Sequence, residues 1–264
     1  MTYIQAIIVA IIEGLTEFLP ISSTAHMVIT SSLMHLEKDA FTKYFEICIQ
    51  FGAILSVLVL YFKKFINFKS FAFYIKLIIA VIPSLIFGFL MNDFIDSKLE
   101  SPLFIAIVMI LGGVVLLFVD KWFNKPTIHH EEEIDNKLAL KIGMFQCLAI
   151  LSPGLSRSAA TIIGGMSQKI SREVAAEFSF FLAVPTMAAA TAYKTLTYIK
   201  KEGFFTAQQL TTLAIGNIVA FIVAILAIKF FITFVKEKGF KLFGIYRIIL
   251  GSIVLILIAT QVIG

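Results

Sequence analysis

The sequence predicts an all-α polytopic membrane protein with about six transmembrane helices and two re-entrant helix hairpins, arranged as an inverted-topology repeat. Three observations carry this. Of 264 residues, 59% are hydrophobic and only 15% charged, and the mean hydropathy of +0.95 lies far from that of a soluble domain. Several apolar stretches approach the roughly 20 residues a helix needs to cross a hydrocarbon core. Two short polar segments, Glu13 to His26 and Ser152 to Thr161, each contain a proline and resemble one another.

Taken in order, the N-terminus lacks a basic region and carries two glutamates before any cleavage site, so it reads as mature sequence rather than a signal peptide. Ile4 to Phe18 would form a helix of only about 22 Å before Pro20 ends it. A second short helix, Thr24 to Ser32, follows Ser22 and Ser23, both good N-caps. Spans are expected near 44–62, 75–92 and 102–120, then a connector at 123–138, then the second polar segment and spans near 174–194, 209–230 and 242–262. Pro20-Ile-Ser-Ser aligns with Pro153-Gly-Leu-Ser, and Phe104–Gly112 with Phe243–Gly251. One membrane domain, 1–264, thus divides into halves 1–122 and 139–264, and three crossings per half set them in opposite orientations. Irregular backbone at membrane depth needs protein or water to satisfy it, so each broken segment is expected to turn back rather than cross.

The net charge of +5 belongs to membrane orientation rather than to nucleic acid. Lys63, Lys64, Lys69 and Lys76 share one side with Lys229, Lys236, Lys238, Lys241 and the mixed loop 121–141, which makes that side cytoplasmic. Asp93, Asp96 and Glu100 fall opposite, although Lys194, Lys200 and Lys201 accompany them. Cys48 and Cys147 sit singly in apolar sequence and are expected only to pack. His129-His130-Glu131-Glu132-Glu133 reads as a solvated connector rather than a metal site. Gly112-Gly113 and Gly164-Gly165 suit close helix packing.

The polar segments carry the chemistry. Glu13 and Glu17 lie one helical turn apart, and two carboxylates in apolar sequence imply a cation, a shared proton or water. The N-terminus of the helix after Pro20 points N–H groups at the break, a setting for an anion. His26 lies about one turn beyond Ser23, close enough for nucleophile and base, though capping alone would account for the serines. In Ser152-Pro-Gly-Leu-Ser-Arg-Ser-Ala-Ala-Thr161, Arg157 at a helix start requires an anionic partner, either a substrate or Glu13 or Glu17. Gly154, Ser156, Ser158 and Thr161, with Ser22, complete a candidate phosphate cradle. Discontinuous helices of inverted repeats also build secondary transporters, so architecture alone does not separate catalysis from transport.

Glu13-Gly-Leu-Thr-Glu17-Phe-Leu-Pro-Ile-Ser-Ser-Thr-Ala-His26 together with Pro153-Gly-Leu-Ser-Arg157-Ser-Ala-Ala-Thr161 resembles the motifs of bacterial undecaprenyl-diphosphate phosphatase, the bacitracin-resistance protein family, and the likeness spans the chain. The resemblance implies release of the terminal phosphate from undecaprenyl diphosphate. It implies a divalent cation, Mg²⁺ or Ca²⁺, held by Glu13 and Glu17. It also implies Ser23, His26, Glu17 and Arg157 as catalytic groups, in the bacterial cytoplasmic membrane with a site near the extracytoplasmic face. Expected partners are the polyprenyl diphosphate and the bilayer, not nucleic acid, and a homodimer is compatible with the sequence.

Overall fold

A computed structural model describes residues 1–67, 71–91 and 101–263. Helix α1 (Tyr3–Thr16) starts at a capping box formed by Thr2 and Gln5. Next come α2 (Ser23–Leu33), α3 (Ala40–Leu60), the single turn α4 (Phe62–Phe65), α5 (Phe71–Leu90) and α6 (Pro102–Trp122). The second half supplies α7 (Asn136–Leu151), α8 (Arg157–Ser167), α9 (Arg172–Glu202), α10 (Ala207–Lys238) and α11 (Lys241–Ala259).

Among the described residues, six helices are long and apolar enough to cross a membrane: α3, α5, α6, α9, α10 and α11. The chain is therefore an all-α, multi-pass membrane protein. Helix α1, at 14 residues, reaches only about 21 Å.

The packing repeats across the halves. Helix α1 lies on α10 as α7 lies on α5, while α3 meets α9 and α6 meets α11. Glycines permit the closest approaches. A Cβ on Gly14 would fall 2.8 Å from the Ala220 carbonyl oxygen, and one on Gly143 would fall 2.1 Å from that of Ala80. Gly113 and Gly244 each face the other's carbonyl oxygen, drawing α11 against α6.

Each pair of short helices begins and ends at one end of the bundle. Before α7 and after α8, Ile128 and Ile170 form a bridge, and Arg172 at the start of α9 binds Asp120 at the end of α6 at 2.6 Å. Around α1 and α2, Met1, Met34 and Phe41 cluster with Tyr198 and Phe205, where Phe205 stacks on both Tyr44 and Tyr198. Helix α9 runs from the first of these ends to the second.

Several boundaries differ from the hydropathy reading. Helices α9 and α10 extend to 31 and 32 residues, from N-caps Ser171 and Thr206 to Gly203 and Gly239, both at positive φ. Hydropathy marks only the apolar part of a helix, whereas caps decide where it stops. Lys229, Lys236 and Lys238 accordingly sit within α10, and Lys76 lies within α5 rather than in a loop. Lys69, Asp93, Asp96 and Glu100 lie outside the described residues. The 131–133 turn is not wholly solvated, because Glu131 is buried. It binds Lys64 at 2.6 Å and Lys76 at 3.2 Å, and two partly desolvated ammonium groups require such a counter-charge. Among the described residues no trio of acidic, His or Cys side chains is grouped to hold a metal, at this connector or elsewhere.

Candidate active site

Both broken segments end in a serine at positive φ, Ser22 at 71° and Ser156 at 75°. Each serine accepts the backbone N–H three residues on, from Ala25 and Ala159, at 3.3 Å. The next residues, Ser23 and Arg157, therefore occupy the same first position of α2 and α8. At Gly154, φ is +96° and a Cβ would fall 2.7 Å from the Ile105 carbonyl oxygen, so only glycine fits the bend.

These positions meet at Glu17, the C-cap of α1. The Ser23 hydroxyl donates to Glu17 Oε2 at 2.5 Å, and Arg157 Nη2 donates to Glu17 Oε1 at 3.0 Å. Arg157 Nη1 donates to the Ser179 carbonyl at 2.8 Å, and the Thr161 hydroxyl donates to Ser179 Oγ at 2.7 Å. Ser158 Oγ donates to the Leu19 carbonyl at 2.8 Å, joining α8 to the first break, and contacts Ser156 Oγ at 2.9 Å. Ser158 and Thr161, expected among the phosphate ligands, are fully buried, with their hydroxyls engaged by protein groups.

His26 does not serve Ser23 in this geometry. It lies four residues after Ser22, which places Nδ1 2.7 Å from the Ser22 carbonyl oxygen. That contact makes Nδ1 the protonated nitrogen. Nε2 then accepts from the Tyr246 hydroxyl at 2.7 Å. The expected Ser23–His26 pair is replaced by Ser23–Glu17, because the positive φ at Ser22 turns the start of α2 back towards the end of α1.

Three buried atoms lack a hydrogen-bond partner at this junction: both carboxylate oxygens of Glu13 and Nε of Arg157. Glu13 is fully buried, one turn before Glu17. An unpaired carboxylate in such a place is costly, and it is the donor set a hard cation takes. Mg²⁺ draws much of its coordination from substrate oxygens and water, so one or two carboxylates suffice. The residues therefore fit a divalent ion.

Comparison with known proteins decides the kinship. Residues 6–253 match the family described as bacitracin resistance protein BacA. The chain belongs to this family. It is 55% identical to an undecaprenyl-diphosphatase of Flavobacterium johnsoniae, over 97% of this chain and 96% of that one. A protein of the same name from Porphyromonas gingivalis is 50% identical over 99% of both chains, and one from Aquifex aeolicus is 44% identical over 96% and 97%.

For this BacA-family member, the sequence reading missed Arg247, Tyr246 and Glu46. Arg247 is completely buried. It donates to the carbonyls of Pro20 (3.2 Å), Gly154 (2.8 Å), Leu155 (2.7 Å), Met109 (3.2 Å) and Val108 (3.4 Å), so one guanidinium clasps both breaks and α6. The signal was present, since a lone arginine in the apolar run 242–262 calls for a partner. Glu46 on α3 similarly accepts from Ser31 of α2. Arg247→Met is expected to orphan these carbonyls at a cost of about 3 kcal/mol or more. Thermal unfolding in detergent should show it as a drop of about 10 °C in melting temperature.

Proposed function

We propose that the chain hydrolyses undecaprenyl diphosphate to undecaprenyl phosphate and inorganic phosphate, which recycles the lipid carrier of peptidoglycan synthesis and confers bacitracin resistance. The observation that carries this is the junction itself. A hydroxyl and a guanidinium occupy the first turns of two facing helices and share one carboxylate, in a chain whose relatives bear the undecaprenyl-diphosphatase name.

Arg157 and the N–H groups opening α2 and α8 hold the terminal phosphate. Ser23 Oγ attacks its phosphorus while the hydroxyl proton passes to Glu17 Oε2. The bond from that phosphorus to the bridging oxygen breaks, and undecaprenyl phosphate leaves with the electron pair. Water then attacks the phosphoserine, inorganic phosphate departs and the serine hydroxyl is restored. The basic nitrogen of His26 accepts from the Tyr246 hydroxyl, and that contact opens for the imidazole to take a proton from this water.

Glu13, with Glu17 beside it, would hold Mg²⁺ or Ca²⁺. A bound divalent ion neutralises charge on the phosphoryl oxygens. Its removal is testable. EDTA is expected to lower phosphate release from a polyprenyl diphosphate by at least about 100-fold, with recovery on added Mg²⁺ or Ca²⁺. Glu13→Gln should stay slow at any concentration of either ion. Purified protein that carries a polyprenyl phosphate across vesicles yet releases no phosphate from the diphosphate would replace this reading with a transporter.

We place the protein in the bacterial cytoplasmic membrane with α1–α2 and α7–α8 as re-entrant hairpins entering from opposite faces. The end bearing Lys63, Lys64, Lys121, Lys236, Lys238 and Lys241 is assigned to the cytoplasm. The two breaks meet where Arg247 abuts Gly112, the midpoint of α6. The family resemblance supports entry of the substrate from the extracytoplasmic face.

A further inference from the structure

We infer that Tyr246 is a positioning residue for His26, holding in one orientation the ring whose tautomer the Ser22 carbonyl selects. The inference rests on the acid–base role proposed for His26. With Nδ1 donating to the Ser22 carbonyl, the neutral ring has a bare Nε2, so the phenol is the donor in the 2.7 Å contact. The two ring planes lie within 2° of parallel, with centroids 5.7 Å apart. An acceptor on one nitrogen and a donor on the other select a single tautomer and a single ring orientation.

Helix α11 makes that placement rigid. The residue after Tyr246 is Arg247, tied to the carbonyls of Pro20 and Gly154, and the Gly113–Gly244 approach locks the same turn onto α6. A phenol on a loop would wander, whereas this one is fixed relative to both breaks. Exposure differs across the pair, at 43% for Tyr246 and 9% for His26. The phenol therefore stands between the buried imidazole and the protein surface. Ser23 and Arg157 make their contacts elsewhere, so Tyr246 acts through His26 and not on phosphate.

Tyr246→Phe keeps the ring and removes only the donor. It is expected to lower kcat about 10-fold, a fraction of the 10²–10⁴-fold that a positioned acid–base group supplies, with KM and melting temperature unchanged. In a His26→Ala background the same substitution should have no further effect, because its partner is already gone. Equal kcat in wild type and Tyr246→Phe, alongside a slow His26→Ala, would overturn the inference and leave the role of His26 intact. A Tyr246→Phe loss that persists undiminished without His26 would also overturn it. Full activity in His26→Ala would instead remove the role proposed for His26, and this inference with it.

Discussion

Arg157→Ala is expected to lower phosphate release by about 10³–10⁵-fold, equivalent to roughly 4–7 kcal/mol of transition-state stabilisation, the range seen when an arginine facing a transferring phosphoryl group is lost. Three facts set the size. Arg157 sits at the first turn of α8, where helix dipole and guanidinium act on the same anion. Its Nε is a buried donor without a partner, while Nη1 is anchored on Ser179 and Nη2 on Glu17, so Nε is the donor that remains for phosphate. It is also the counter-charge of Glu17, a largely buried carboxylate that accepts the Ser23 hydrogen bond. Arg157→Lys should recover only part of the rate, since an ammonium keeps the charge but loses the planar, two-pronged geometry. Because removal of one buried ion-pair partner can cost 3–5 kcal/mol of stability, initial rates must be read beside melting curves. A folded Arg157→Ala enzyme within 10-fold of wild type would sink the anion-clamp assignment.

Legibility in the sequence followed the range of the interactions. Hydropathy exposed the spans because a membrane helix advertises itself along 20 consecutive residues. The two breaks were visible because proline and serine alter the backbone where they stand. The Ser23–Glu17 contact was not, since it depends on a turn through positive φ at Ser22 that no helical spacing describes. Arg247 was visible as a charge, but its carbonyl acceptors come from three separated stretches of chain, and nothing local couples Pro20 to Val108 and Gly154. The long polar ends of α9 and α10 escaped for the opposite reason, because they are helical without being apolar.

The proposed repeat also accounts for a site made from both halves of the chain. Glu13 and Gln146 stand at the same distance before Pro20 and Pro153. Gln146 is buried and satisfied by Ser84 at 2.7 Å and Thr186 at 3.2 Å, while the Glu13 oxygens are unpartnered. The first polar segment thus keeps an open carboxylate, and the helix before the second keeps a neutral, closed polar contact. At the first helical position the side chains differ as well, with Ser23, the proposed nucleophile, opening α2 and Arg157, the proposed clamp, opening α8. Under the proposed repeat, divergence at the first helical position gives the junction distinct donor and acceptor sides.

Ser23→Ala is expected to reduce turnover by at least about 10³-fold, because the second step has no phosphoserine to act on and the remaining groups only bind and polarise the substrate. Rapid quench with substrate labelled in its terminal phosphate reads the route directly. Wild-type protein should carry label on Ser23 during turnover, and Ser23→Ala none. His26→Ala should carry more label than wild type, since loss of the group acting on water slows release and not attack. Label absent from every variant, with Ser23→Ala still turning over at a measurable rate, would mean that water attacks the diphosphate directly and that Ser23 serves as a phosphate ligand. The contact between Ser23 and Glu17 makes the covalent route the expected one. A carboxylate within hydrogen-bond reach of the hydroxyl can receive its proton as the bond to phosphorus forms, whereas His26, turned to Ser22 and Tyr246, cannot do so without leaving both partners.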